Sequence, residues 1–204
     1  MINFKNMDKK NKSFMYQNLQ RSKCFNTNFS NSNFDFACFR GAHMKACSFC
    51  ACTFKETEFI GANLKDSNFR NATFENAVFD GSKLEGVNFI DAQFKNTIFV
   101  ATDIENALNL NINDPNIRIY SEMPALEISS ELRTAIEKLM ENPFVKKARV
   151  LDTKDKKLNT ISVMILVEKF GEEMLMKNIG NLESALDRDF YTLSYLIKLL
   201  DKLV

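Results

Sequence analysis

The feature that most constrains this chain is a period of five. Stepping by five from Phe14 to Ile104 visits nineteen positions, all of them apolar and thirteen of them Phe. The rest are Leu19, Cys24, Met44, Leu64, Leu84 and Ile104. Two residues before each of these centres the side chain is small in seventeen of nineteen cases, from Ser22 and Thr27 to Thr102. Lys12 and Gln17 are the exceptions. The same bias shows in composition, with 19 Phe against 4 Tyr and no Trp. A helix repeats every 3.6 residues and a strand every 2, so neither keeps a five-residue series on one side. A chain that turns a corner every five residues does, and its centres then all point at one axis.

A small residue, any residue, Leu or Phe, then two polar residues is the pattern of the pentapeptide-repeat family, which residues 12–106 resemble. The resemblance implies a right-handed, four-sided parallel β-helix with four pentapeptides per coil. The residues support four sides independently. Cys24, Met44, Leu64, Leu84 and Ile104 are spaced by twenty, as are Gly41, Gly61 and Gly81. One face is therefore expected to use aliphatic or sulfur side chains, and one corner to use glycine, which accepts φ > 0 without a Cβ clash. The series amounts to about 4.75 coils, a column roughly 23 Å tall at the usual strand spacing.

A solenoid needs closed ends. Residues 1–12 are expected to form an N-terminal cap, because Phe4 keeps the register and Lys9 breaks it. Residues 13–106 form the β-helix, and 107–128, with Asn113–Asp114–Pro115, a linker or cap. Residues 129–204 read as a small helix-rich α+β domain. Leu132, Ala135, Ile136, Leu139 and Met140 make a helical stripe that Ser129 or Ser130 can cap. The run 160–167, TISVMILV, is β-branched and alternates, so it reads with 147–152 as a β-hairpin, with a helix through 160–178 as the alternative. A short helix ending near Gly180 and a final helix from Asn181 to about Leu203 complete the domain.

The chemistry-bearing residues do not converge in this register. Cys47 and Cys52 are small inward positions and Cys24 is a centre. Cys50 follows a centre, and Cys38 and His43 precede centres, so these three are expected to face outward. Zinc needs four ligands within about 2.0–2.3 Å of one point, which diverging side chains cannot supply. His43 is the only histidine, and neither phosphate-binding glycine motif occurs. No catalytic residue, metal site or cofactor is expected. Outward positions are more informative. Asp35, Lys55, Glu75 and Lys95 should stack as an alternating charge ladder, and Asn28, Asn68 and Asn88 as a polar row. On the face with centres Phe39, Phe59, Phe79 and Phe99, the outward residues Ile60, Val78, Ile98 and Val100 form a candidate interaction patch.

No run of 18 apolar residues suggests a membrane span, and the opening MINFKNMDKKNK has no apolar secretory segment. With five cysteines and no such segment, free thiols in the cytoplasm are the expectation. The chain carries 27 basic and 26 acidic residues, so a nucleic-acid partner is not expected. Some members of the family that the repeat resembles protect type II topoisomerases such as DNA gyrase by imitating DNA, which needs an acidic surface. Residues 1–108 hold 13 basic and 11 acidic residues. The reading is therefore a non-catalytic protein-binding or scaffold protein with an unnamed protein partner. The C-terminal domain caps the column, serves as a homodimer contact or binds the partner. A topoisomerase-protecting DNA mimic and an enzyme housed in the C-terminal domain are the alternatives.

Overall fold

The computed structural model describes residues 1–203. The chain divides between Glu122 and Met123 into two compact units. The first is a parallel β-solenoid of about six turns. Its strands are β1 (Asn3–Lys5), β2 (Lys23–Phe25), β3 (His43–Lys45), β4 (Thr53–Lys55), β5 (Glu58–Ile60), β6 (Thr73–Glu75), β7 (Val78–Asp80), β8 (Gln93–Lys95), β9 (Thr97–Val100) and β10 (Ile117–Tyr120). They form three parallel sheets, β1-β2-β3, β4-β6-β8 and β5-β7-β9-β10. Each residue lies beside the residue twenty positions on, as with Phe54 and Phe74 or Phe59 and Phe79. Isolated parallel bridges, such as Asn28 with Ser48 and Ser48 with Asn68, make the remaining side.

The centres fill the interior as four columns. Three are aromatic. Phe34, Phe54 and Phe74 stack at 5.4 and 5.0 Å between ring centroids, Phe39, Phe59, Phe79 and Phe99 at 4.8, 4.5 and 4.6 Å, and Phe29, Phe49 and Phe69 at 5.2 and 4.9 Å. Strand spacing is about 4.8 Å, so the ladder itself brings the rings to stacking distance. Columns meet one another edge-on, as Phe34 meets Phe49 at 5.5 Å and 74°. The fourth column is Cys24, Met44, Leu64 and Leu84, all buried. The small position leaves room for the ring beside it, and its hydroxyl ties one coil to the last. Thr57 Oγ1 donates to the Phe34 carbonyl at 2.9 Å and Ser67 Oγ to the Met44 carbonyl at 2.6 Å.

The corners are more uniform than the glycine spacing suggested. Every fifth residue from Asn6 to Ala101 has positive φ, at all four corners of the coil. Asn and Asp hold most of the non-glycine places, including Asn26, Asn31, Asp66, Asn71 and Asn96. Their short polar side chains make this region tolerable. The outward Asn before a centre closes the turn that follows. Asn28, Asn68 and Asn88 each accept from the backbone N–H two residues on at 3.0 Å.

The column runs further at both ends than 13–106, which corrects the cap and linker boundaries and the 4.75-coil count. Residues 1–12 form a coil, since β1 pairs with β2 through Phe4 and Cys24. Lys9 takes the centre position there with its Nζ 4.6 Å from the Phe4 ring centroid, and a cation over a ring face is favourable. Residues 107–120 supply a last, irregular coil, in which β10 pairs with β9 and Leu110 and Ile117 pack on the core. The regular centres stop after Ile104 because Asn109 and Asp114 fall where Phe would stand.

The second unit holds five helices among the described residues: α1 (Ser130–Met140), α2 (Pro143–Ala148), α3 (Thr160–Phe170), α4 (Glu172–Ala185) and α5 (Leu193–Leu200). In α1 Ser129 accepts from the Leu132 N–H and Leu132, Ile136 and Leu139 are buried, as the stripe implies. The expected β-hairpin does not form. Residues 160–170 are helical, capped by Asn159, which accepts from the Ser162 N–H, and ended by Gly171 at φ 74°. Burial of Ile161, Val163 and Leu166 in the helical core overrides the strand preference of a β-branched run. One antiparallel bridge, Asp152 with Leu158, closes the loop before it. The single helix expected from Asn181 also gives way. Helix α4 passes through Gly180 to Ala185, and the chain breaks over 186–192, where Phe190 is buried and stacks on Tyr195 at 4.9 Å.

The core assignment has a direct test. Phe74 is 1% exposed, and truncating a buried Phe costs about 3–5 kcal/mol. Phe74→Ala should lower the melting temperature steeply, and Glu75→Ala, on the outside of the same strand, should leave it nearly unchanged. Equal small effects would break the register.

Candidate functional site

With the interior filled by side chains, what the column can do lies in its outward rows. The face of β4, β6 and β8 carries the expected ladder. Glu75 lies 3.6 Å from Lys55 and 3.2 Å from Lys95, and Asp35 Oδ1 accepts from the Lys55 backbone N–H at 2.8 Å. The hydrogen bond from Lys95, with Lys55 beside it, holds the Glu75 carboxyl below its usual pKa. Exposed pairs of this kind contribute about 0–1 kcal/mol each. Alternating charge across successive coils favours this register over one that sets like charges together.

The face of β5, β7 and β9 carries the four apolar candidates in two adjoining rows. Val78 sits beside Ile98, while Ile60 and Val100 flank Asp80. Ile60 and Val78 are half-buried, and Ile98 and Val100 are buried at 1% and 0% exposure. Polar groups share these rows. Arg40 approaches Glu58 to 3.9 Å, and burial pushes the Asp80 carboxyl up while Arg40 opposes it. This face is thus drier than the charge-ladder face.

All five cysteines are free. Among the described residues no group of three or more His, Cys, Asp or Glu side chains is placed to hold a metal ion. Cys47 and Cys52 lie inside the column, where burial pushes their thiols up to about 12. Cys38 departs from its expected outward exposure. Its side chain precedes a centre, yet it is fully buried, and burial with the Glu58 charge pushes it up to about 11. Cys50 is partly exposed, beside Ser48, whose hydroxyl donates to its sulfur at 3.3 Å. His43 is exposed on the sheet of β1, β2 and β3. No helix among the described residues is long and apolar enough to cross a membrane.

Comparison with known proteins agrees with the repeat. The pentapeptide-repeat family matches residues 16–45, 42–81 and 72–108 in eight copies. Residues 16–108 are thus a run of pentapeptide repeats. Solved structures similar to it include Rfr23, a pentapeptide repeat protein from the cyanobacterium Cyanothece 51142, at 20% identity, 52% of this chain, 87% of that one and a TM-score of 0.40. HetL from Nostoc sp. strain PCC 7120, described as involved in heterocyst differentiation regulation, matches at 21% identity, 54% of this chain, 48% of that one and a TM-score of 0.36. Trypsin-treated QnrB1, a plasmid-mediated fluoroquinolone resistance protein, matches at 15% identity, 58% of this chain, 89% of that one and a TM-score of 0.26. No curated protein matches the chain.

The thiol environments predict reactivity, because the thiolate is the attacking species. A disulfide reagent at pH 8 should titrate one thiol, Cys50, in the native protein and five after denaturation. Rapid reaction of two or more native thiols would contradict the burial of Cys24, Cys38, Cys47 and Cys52.

Proposed function

We propose that this is a non-catalytic protein-binding or scaffold protein, in which the solenoid holds outward side chains in fixed rows for a protein partner. The observation that supports this most is the stacked interior. Eleven Phe side chains are at or below 2% exposure, and a close-packed core of rings resists deformation, so the faces outside it are pre-organised. Pre-organised surfaces bind with less ordering cost. Ile60, Val78, Ile98 and Val100 are the apolar outward side chains gathered on one sheet, and of these the half-buried Ile60 and Val78 are the proposed contact residues, since Ile98 and Val100 are already buried. A DNA mimic is the weaker reading, since residues 1–122 carry 14 basic and 13 acidic residues. Five free cysteines suit a reducing compartment, and the cytoplasm is the proposed location.

The contact is tested by placing charge in it. Ile60→Asp combined with Val78→Asp should lower the mass seen by light scattering or open new sites to limited proteolysis, while circular dichroism retains the β signal. An unchanged mass with an unchanged digestion pattern would count against this face.

A further inference from the structure

The sheet of β1, β2 and β3 differs from the other faces. Its outward positions are Asn3 and Lys5, Lys23 and Phe25, His43 and Lys45, all exposed, with no acidic residue on any of the three strands. The register places Phe25 directly between Lys5 and Lys45, and Lys23 directly between Asn3 and His43. Phe25 is 49% exposed, a large apolar ring standing among three lysines. Adjacent strands are about 4.8 Å apart, so the cluster fits within a patch roughly 10 Å across. No salt bridge among the described residues uses any of these three lysines, whereas Lys55 and Lys95 on another sheet, and Lys65 further along this face, each pair with a glutamate.

We propose that this face is a second docking surface and that its occupant is an acidic protein segment carrying one apolar residue. An exposed ring circled by uncompensated charge has the layout of an interface centre, with an aromatic anchor surrounded by polar contacts. The charge of the patch selects an anionic partner by complementarity. Its length selects a short one. Further along the same two rows Lys65 pairs with Glu85, Lys83 lies beside Asp103, and Glu105 follows. A polyanion lying along the column would leave the lysines and meet these carboxylates about 15 Å from Phe25. A nucleic-acid strand therefore fits less well than an acidic peptide whose apolar side chain packs on the ring. The patch lies on a different sheet from Ile60 and Val78, so the two surfaces stand or fall separately.

Fluorescence anisotropy on the full chain at low and moderate salt tests the proposal. The probe is a short fluorescein-labelled peptide of glutamates around a central phenylalanine. The comparison probes are the same peptide with a central serine and a labelled oligothymidylate. The expected result is saturable binding of the phenylalanine peptide that weakens with salt. Lys23→Glu with Lys45→Glu, or Phe25→Ser, should weaken it about tenfold or more without moving the melting temperature. Should the charge reversals disturb folding, Lys23→Ser with Lys45→Ser should weaken it in the same direction. Three outcomes would overturn the proposal: no peptide binding at low salt, binding indifferent to these substitutions, or oligothymidylate binding as tightly as the peptide.

Discussion

The rest of the column depends on phenylalanine rings stacked at the spacing of a parallel β ladder. Strands stack about 4.8 Å apart, and the ring centroids of Phe59 and Phe79 or of Phe79 and Phe99 lie 4.5 and 4.6 Å apart. The two spacings coincide, so the backbone ladder and the ring columns reinforce each other in one register. Aromatic pairs contribute about 0.5–1.5 kcal/mol beyond the area they bury. A slip by one pentapeptide would set the Phe columns against the Cys24–Met44–Leu64–Leu84 column. Stacking thus selects a twenty-residue coil, and that coil needs a tight turn after every centre. The turns are made by residues at positive φ, and at Gly86 a Cβ would come within 2.6 Å of Asp66 Oδ1, so any larger residue would have to turn that carboxylate aside.

Away from the interior, the helical unit is stabilised by a different arrangement. Leu132, Ile136, Val163, Leu166, Leu182 and Leu196 meet in one mainly aliphatic core, in which Phe190 and Tyr195 form a single stacked pair. The column instead closes its ends by changing the centre residues. Lys9 over Phe4 marks one end, and Asn109 and Asp114 the other. Polar residues in place of apolar centres weaken the template for further strands, a common way to blunt a sheet edge.

What was legible in the sequence follows from which signals are local. The five-residue period and the twenty-residue spacing of Cys24, Met44 and Leu64 disclose the coil, its register and the Asp35–Lys55–Glu75–Lys95 ladder, because each is a repeat along the chain. The left-handed corners are also written there, in the Asn and Asp residues two after many centres, a weaker signal than glycine because both residues are common at outward positions as well. The helix over 160–170 was not legible from TISVMILV alone, since its state is decided by what Ile161 and Val163 bury against. The burial of Cys38 was hidden for the same reason. The basic sheet around Phe25 was obscured by counting charge over 108 residues, which averages Lys5, Lys23 and Lys45 with Glu85, Asp103 and Glu105.

The proposed role needs surfaces held still, and that rests on the column behaving as one rigid body about its ring stacks. Residue-resolved native-state hydrogen exchange tests this most directly. The backbone amides of Phe49, Phe54, Phe69 and Phe74, each bonded within the ladder around a stacked ring, should exchange only through global unfolding of the column. Their opening free energies should be nearly equal and track denaturant together. Exchange of these four as fast as that of the half-buried Phe14, or opening free energies that differ from coil to coil, would contradict a rigid, ring-stacked scaffold.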